Sequence, residues 1–481
     1  MSLRKQAISG MIWTYCQQFG GQLVTFLVSL VLARILLPED FGLIGMLAIF
    51  IGIGTVLFEG GLTSSLIRSK ELNQEDYSTV FYFNLGCSIF IYGLIFIGAP
   101  YIAKFYYQPQ LTRITQVYGL TFIISAFGTV QNTILTKELK FKKQAFINFP
   151  ALLLSSLVGI LMAYLNYGVW SLVVSAIVNA SLVSLFLWVT SDWHPKLVFN
   201  KIKFHEHFHY GYKLTISGVL DIIFTNIYQL VIGRFYSPSQ VGYYARSSSL
   251  MMLPIGNISG ALNRVIFPIF SKIQDDIPKL KEAYKKVMML VLFIITPIIV
   301  LMGVLADPLV RFLFTDKWMK MVPIFQIICL SGVLYPIHLY NLIILQVKGR
   351  SDLFLRLEVL KKILVVIVLP ISMYFGFYAL LWGQLICSFL ALFINTYYAG
   401  KMLKYTMFAQ LKDLTPIFLF TIVMGIVVFF LDNALLNKSY FLRLIICSSI
   451  GVACYTLLAW LFKFESINDI KNLIIKNDTS K

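Results

Sequence analysis

The chain has 481 residues, 58% of them hydrophobic and 13% charged, with a mean hydropathy of +0.79 and a formal charge of +18. Soluble globular proteins carry about 25% charged residues, so this composition excludes a soluble enzyme, a coiled coil and a disordered scaffold, and it requires a bilayer to solvate most of the surface. Uninterrupted apolar runs such as 287–306 exclude an outer-membrane barrel, whose strands of about ten residues alternate polar and apolar. An all-α, polytopic membrane protein is left.

In chain order, stretches of about 20 mostly apolar residues predict membrane spans over 11–37, 41–62, 78–100, 115–135, 146–166, 168–190, 212–233, 239–262, 287–306, 321–346, 362–379, 380–399, 414–431 and 441–462. The joins at 166–168 and just after 376–378 are so short that the count lies between twelve and fourteen, and fourteen is the reading adopted. The first apolar run is too long for a cleavable signal peptide and lacks a small-residue cleavage site, so Arg4 and Lys5 are expected to stay in the cytoplasm. From that start, thirty of the 40 basic residues fall in cytoplasmic segments, as the positive-inside rule requires. Both termini are then cytoplasmic, with 463–481 a polar tail. The basic loops lie against anionic headgroups, which accounts for most of the positive charge, and nucleic acid is not expected as a partner.

The remaining chemistry is sparse. Six cysteines lie inside apolar runs with no C-x-x-C pair, a pattern of small core residues and not of a disulfide framework or metal site. His205, His207 and His209 resemble a metal tract, but they sit in a basic loop at a membrane edge and only His205 and His209 share a helical face, so no metal is expected. Asp275 and Asp276 precede Ile277-Pro278 and read as a helix start. The loops leave no room for a soluble catalytic domain and no P-loop occurs; no enzyme activity and no cofactor are expected.

An internal repeat is the most informative feature. Residues 33–42 read ARILLPEDFG and residues 233–242 read GRFYSPSQVG, so Arg34, Pro38 and Gly42 recur as Arg234, Pro238 and Gly242. Both copies lie at the turn after an odd-numbered span, which makes a parallel repeat related by a pseudo-two-fold axis along the membrane normal. Two six-helix lobes follow, 1–191 and 205–400, with a cytoplasmic linker over 192–204 and two appended helices over 401–462. A cavity between two such lobes, opening to alternate sides, is the physical logic of a secondary transporter.

Polar stripes identify what would line that cavity. Gln18, Gln22, Thr25 and Ser29 share one face of the first span, and Ser217, Asp221, Thr225 and Tyr228 share one face of the seventh, with Asn226 beside them. Such stripes face a wet cavity or another helix, since lipid is too costly. Asp221, about nine residues into its span and so roughly 14 Å deep, is expected to pair with Arg246; a purely structural ion pair is the alternative. Glu59 is a second buried acid, Arg68 and Arg264 mark the cytoplasmic mouth, and Asn257 completes the set. Pro254 with Gly256, Gly52 with Gly54, and Pro336 supply breaks at which helices bend.

LARILLPEDFG (32–42), GLTSSLIRSK (61–70), EDYSTVF (75–81), LKFKKQA (139–145), YGVWSLV (167–173), NRVIFPIFSKIQDD (263–276) and ADPLVRFLFTDKW (306–318) together are similar to the polysaccharide transporter family, the Wzx-type and specifically WzxC-like lipopolysaccharide and exopolysaccharide flippases of the MOP flippase superfamily. The resemblance covers about residues 1–365. It implies export of undecaprenyl-diphosphate-linked oligosaccharide across a bacterial cytoplasmic (inner) membrane by alternating access, driven by an H+ or Na+ gradient, with a polysaccharide polymerase and export proteins as partners. A diphosphate needs cationic partners to cross, for which Arg34, Arg234, Arg246 and Arg264 are the candidates. A cation-coupled multidrug exporter or a peptidoglycan-precursor flippase shares the architecture, and a membrane-embedded polymerase or glycosyltransferase is the alternative from another class.

Overall fold

The computed structural model describes residues 20–464. Within them the chain is helical, without a strand: α1 (Gly20–Ile35), α2 (Pro38–Glu59), α3 (Leu62–Arg68), α4 (Gln74–Tyr106), α5 (Leu111–Tyr118), α6 (Leu120–Lys137), α7 (Phe141–Tyr164), α8 (Trp170–Thr190), α9 (Lys201–Phe235), α10 (Pro238–Lys272), α11 (Ile277–Val304), α12 (Ala306–Phe314), a 3-10 turn at Asp316–Trp318, α13 (Met321–Val347), α14 (Ser351–Tyr374), α15 (Phe377–Leu403), α16 (Met407–Ala434) and α17 (Tyr440–Leu461). Ten of these are long and apolar enough to cross a membrane, or eleven when α10 counts across its bend. That bend, 42° between Gly260 and Val265, sits one turn before Pro268, which cannot donate to the carbonyl of residue 264.

The helices form where local chemistry starts and stops them. Asn73 caps α4 by accepting from the backbone N–H groups of Glu75 and Asp76, while the Asp76 carboxylate accepts from Asn73 N–H at 2.9 Å, a reciprocal capping box. Asn200 caps α9 in the same way through Ile202 and Lys203, so the helix begins at Lys201, inside the stretch read as linker. Asp276 caps α11 through Lys279 N–H, where the sequence placed a helix start. The two close joins are real breaks: Asn166 and Gly168 stand at φ +63° and +53°, and Gly376 at φ +99°. The break between the eleventh and twelfth expected spans thus falls at Gly376, a few residues earlier than read from hydropathy, because only glycine adopts that backbone without strain.

By internal contacts the chain divides into a first unit ending at Ala245 and a second beginning at Arg246. In the first, α9 runs antiparallel along α2 at close range: a Cβ on Gly218 would stand 2.9 Å from Val56, one on Gly52 2.8 Å from Ile222, and one on Gly233 2.9 Å from Met46. Small residues at such an interface let backbones approach where lipid supplies no hydrophobic drive between helices. Behind them, Phe58, Ile91, Phe122 and Ala126 form one apolar cluster, and Leu62, Leu66, Val80, Phe81 and Val130 another.

In the second unit, α11 packs against α13 and α16, and α15 against α13 and α14. Trp318, Tyr284, Tyr340 and Phe325 are fully buried there. Arg443 on α17 makes a bidentate pair with Asp432 on α16 at 2.9 and 2.8 Å and reaches Asp307 on α12 at 3.6 Å. Elsewhere the spans present large apolar side chains such as Phe90, Ile97, Leu157 and Leu161 outward, the surface a bilayer solvates.

Candidate functional site

On α9, Gly218, Ile222, Gln229 and Gly233 lie against α2, and the polar stripe flanks them. Ser217, Asp221 and Thr225 are uncovered by protein, whereas Tyr228 is buried. Asn226 turns its Nδ2 back onto the carbonyl of Ile222 at 2.9 Å, so its side chain serves its own helix. Gln22 and Thr25 on α1 are likewise uncovered, while Ser29 donates to the Phe26 carbonyl. Gln18 lies outside the described residues, as does the Arg264 side chain.

The ends of this region are defined by the repeat and by its counterpart at the opposite end of α2. Pro38 and Pro238 each open a helix, where the missing N–H costs nothing. In each copy the residue before the proline donates its backbone N–H to the side chain three residues on: Leu37 to Asp40 at 2.9 Å and Ser237 to Gln240 at 3.0 Å. The two copies meet face to face. A Cβ on Gly42 would fall 1.7 Å from the Pro238 carbonyl oxygen, and one on Gly242 would fall 2.0 Å from that of Pro38. Arg234 donates to the Tyr107 hydroxyl at 2.9 Å and stacks over the same ring, and Arg34 is exposed on α1.

At the other end of α2, Glu59 is half-buried. It precedes the left-handed pair Gly60 and Gly61, and a Cβ on Gly61 would stand 2.4 Å from the Gly211 carbonyl oxygen. Arg68 is exposed and lies over the Tyr210 ring, 4.6 Å from its centroid. Arg246 and Asn257 belong to the second unit, where Asn257 donates Nδ2 to the Leu253 carbonyl at 2.9 Å.

A cluster that hydropathy and motif reading missed ties α3, α4 and α9 together. His207 is buried and joins the Ser65 hydroxyl through Nδ1 at 2.8 Å and the Asp76 carboxylate through Nε2 at 3.2 Å; Lys203 reaches the same carboxylate oxygen at 3.3 Å. The other oxygen of Asp76 is the capping acceptor of α4. Serine, histidine and aspartate stand in line, with Ser65 only 5% exposed, and its hydroxyl joins α3 to α9. His205 and His209 stay on the opposite face with rings 6.3 Å apart. The available signal was the 3.6-residue period, which separates His207 from its two neighbours.

Membrane-length apolar helices and glycine-lined helix contacts define a multi-pass α-helical membrane protein. The solved structures with this fold include the lipid II flippase MurJ in an inward closed conformation, with a TM-score of 0.73 at 17% identity over 95% of this chain and 100% of that one. An inward-facing multidrug resistance MATE family transporter of the MOP superfamily gives a TM-score of 0.60 at 16% identity over 80% and 96%. The chain belongs to the polysaccharide biosynthesis protein family, whose profile matches residues 31–323. It is similar to the lipopolysaccharide biosynthesis protein WzxC of Escherichia coli (strain K12), 26% identical over 76% of this chain and 74% of that one. It is also similar to the teichuronic acid biosynthesis protein TuaB of Bacillus subtilis (strain 168), 23% identical over 95% and 96%, and to the succinoglycan biosynthesis transport protein ExoT of Rhizobium meliloti (strain 1021), 24% identical over 67% and 66%. The polysaccharide-flippase resemblance carried by the motifs is borne out.

Proposed function

We propose that this chain flips undecaprenyl-diphosphate-linked oligosaccharide repeat units of an O-antigen, capsule or exopolysaccharide from the inner to the outer leaflet of a bacterial cytoplasmic membrane, and that it does so as a transporter and not as an enzyme. The observation that carries the reading is the uncovered Ser217–Asp221–Thr225 face on a membrane-length helix, in a chain of this family. Polar atoms at that depth need a wet surface, which an amphiphile with a sugar headgroup also needs in order to cross.

The mechanism follows from charge. A diphosphate travels with cations, and Arg34, Arg234, Arg246 and Arg264 line its proposed path with Arg68 at the cytoplasmic mouth. Gln18, Gln22 and Thr25 offer neutral donors to sugar hydroxyls, and Asn226 and Asn257, each with one amide hydrogen held by its own helix, offer the other. Asp221 exchanges Arg246 for a proton or Na+ as the diphosphate arrives and leaves, coupling transport to an ion gradient. Glu59 is the second acid of that path. The lobes 1–191 and 205–400 alternate around it, both termini are cytoplasmic, and a polymerase receives the product.

The decisive experiment follows lipid-linked repeat units in a strain lacking this protein. Accumulation on the cytoplasmic leaflet, shielded from an added glycosidase, is the expected result. Accumulation on the outer leaflet, accessible and unpolymerised, would make the protein a polymerase instead. Export left intact by Arg246→Ala would remove Arg246 from the diphosphate path.

A further inference from the structure

A second site lies away from the polar stripes, wholly inside the first unit. A cavity of about 420 Å³ opens where the start of α4, the end of α6, the start of α7 and the stretch after α8 converge, within the roughly 300–1,000 Å³ typical of small-molecule sites. Its walls carry Gln131, Glu138, Lys140, Lys143, Asp192 and Lys196, beside Trp193.

Two features show that it is built to hold something polar. Gln131 is 1% exposed, yet neither its amide nitrogen nor its amide oxygen has a hydrogen-bond partner, and the buried indole N–H of Trp193 has none either. A buried unsatisfied donor or acceptor is costly, and these three are gathered at one cavity that an occupant would satisfy. The neighbouring charges are committed only in part. Lys140 pairs with Glu138 at 2.6 Å and Lys143 donates to the Thr190 carbonyl; among the described residues, Lys196 makes no ion pair.

The occupant's chemistry can be read from these groups. Three ammonium groups, an amide NH2 and an indole N–H are donors suited to phosphate oxygens. The buried Gln131 amide oxygen is an acceptor without a donor, which calls for a ligand with a donor of its own beyond the phosphate. Its setting is equally specific. Immediately after Lys196 the chain leaves Leu197, Phe199 and Ile202 uncovered, Leu197 at 92%. Three bare apolar side chains just before and at the first turn of α9, next to a polar cavity and to Trp188 and Trp193, mark the level at which headgroups meet acyl chains.

We propose that this cavity binds the headgroup of a membrane phospholipid whose phosphodiester carries a hydrogen-bond donor, phosphoglycerol or phosphoethanolamine, with the acyl chains lying over Leu197, Phe199 and Ile202. Phosphocholine, with no N–H or O–H on its headgroup arm, offers the buried Gln131 Oε1 no donor and is held less tightly. The bound lipid cements α4, α6, α7 and the 191–200 stretch to one another and to the membrane surface.

Native mass spectrometry of the full chain, delipidated in a phosphate-free detergent and titrated with phosphatidylethanolamine, phosphatidylglycerol or phosphatidylcholine, tests this. One phosphatidylethanolamine or phosphatidylglycerol is expected to bind about tenfold more tightly than phosphatidylcholine, and excess inorganic phosphate is not expected to displace it. Gln131→Leu and, separately, Lys196→Glu should each weaken that binding to the phosphatidylcholine level; Lys196 is exposed, so its variant decides the matter if Gln131→Leu does not fold. Equal retention of the three lipids, or wild-type binding by Lys196→Glu, would overturn the proposal. Displacement by inorganic phosphate would overturn the lipid and leave a soluble phosphate site.

Discussion

The face-to-face turns of the repeat invite a direct perturbation, Gly42→Ala. The new Cβ would fall 1.7 Å from the Pro238 carbonyl oxygen, where carbon and oxygen normally rest at about 3.4 Å. The two turns must therefore part by roughly 1.7 Å, and no rotamer can relieve the clash because the opposing atom is backbone. Overpacking of this kind costs about 1–3 kcal/mol, so a value near 2 kcal/mol would shift the population of the closed contact by about thirtyfold. Gly242→Ala attacks the same contact from the other side, at 2.0 Å from the Pro38 carbonyl oxygen, and since the sites touch, the double variant should cost less than the sum. Spin labels on Leu37→Cys and Ser237→Cys, both exposed, with the native cysteines replaced, would read the separation by pulsed electron resonance. A longer distance and about a tenfold loss of repeat-unit export are expected, with the thermal midpoint of α-helix loss measured alongside to detect general unfolding. An unchanged distance distribution together with undiminished export would refute the reasoning.

Three further outcomes follow from the geometry. Arg443→Leu leaves Asp432 buried without its bidentate partner and should destabilise the second unit by about 3–5 kcal/mol; the pair Arg443→Leu with Asp432→Leu should recover most of this in denaturant unfolding. His207→Ala strands the buried Ser65 hydroxyl and leaves Lys203 to hold Asp76 Oδ1, for a loss of about 1–3 kcal/mol, read by the same unfolding assay on detergent-solubilised protein. At the start of α11, hydrogen bonds from Lys279 hold the Asp276 carboxyl below its usual range. Its capping contribution is thus fully present above about pH 4 and fades as the pH falls through the lowered value, so amide exchange at Lys279 and Leu280 should show extra opening only in that acid range.

The sequence by itself determined the membrane class, the positions of the apolar helices and the paired Arg-x-x-x-Pro-x-x-x-Gly turns. These depend on local composition and on residues that punctuate the backbone, such as Pro38, Pro238 and Gly376, and such effects act within a few residues of chain. It also marked Ser217, Asp221 and Thr225 as one face, because helical period alone sets which side chains share a side. Only the tertiary structure decided that Gly42 and Gly242 touch, that His207 turns inward to Asp76 while its two histidine neighbours do not, and that Gln131 and Trp193 gather at one cavity with their polar atoms unanswered. Each of these joins residues 60 to 200 positions apart, as the paired numbers show. Hydropathy could not foresee them, because it treats Gln131 or His207 as one polar letter in a helix and carries no information about which helix comes to lie beside it.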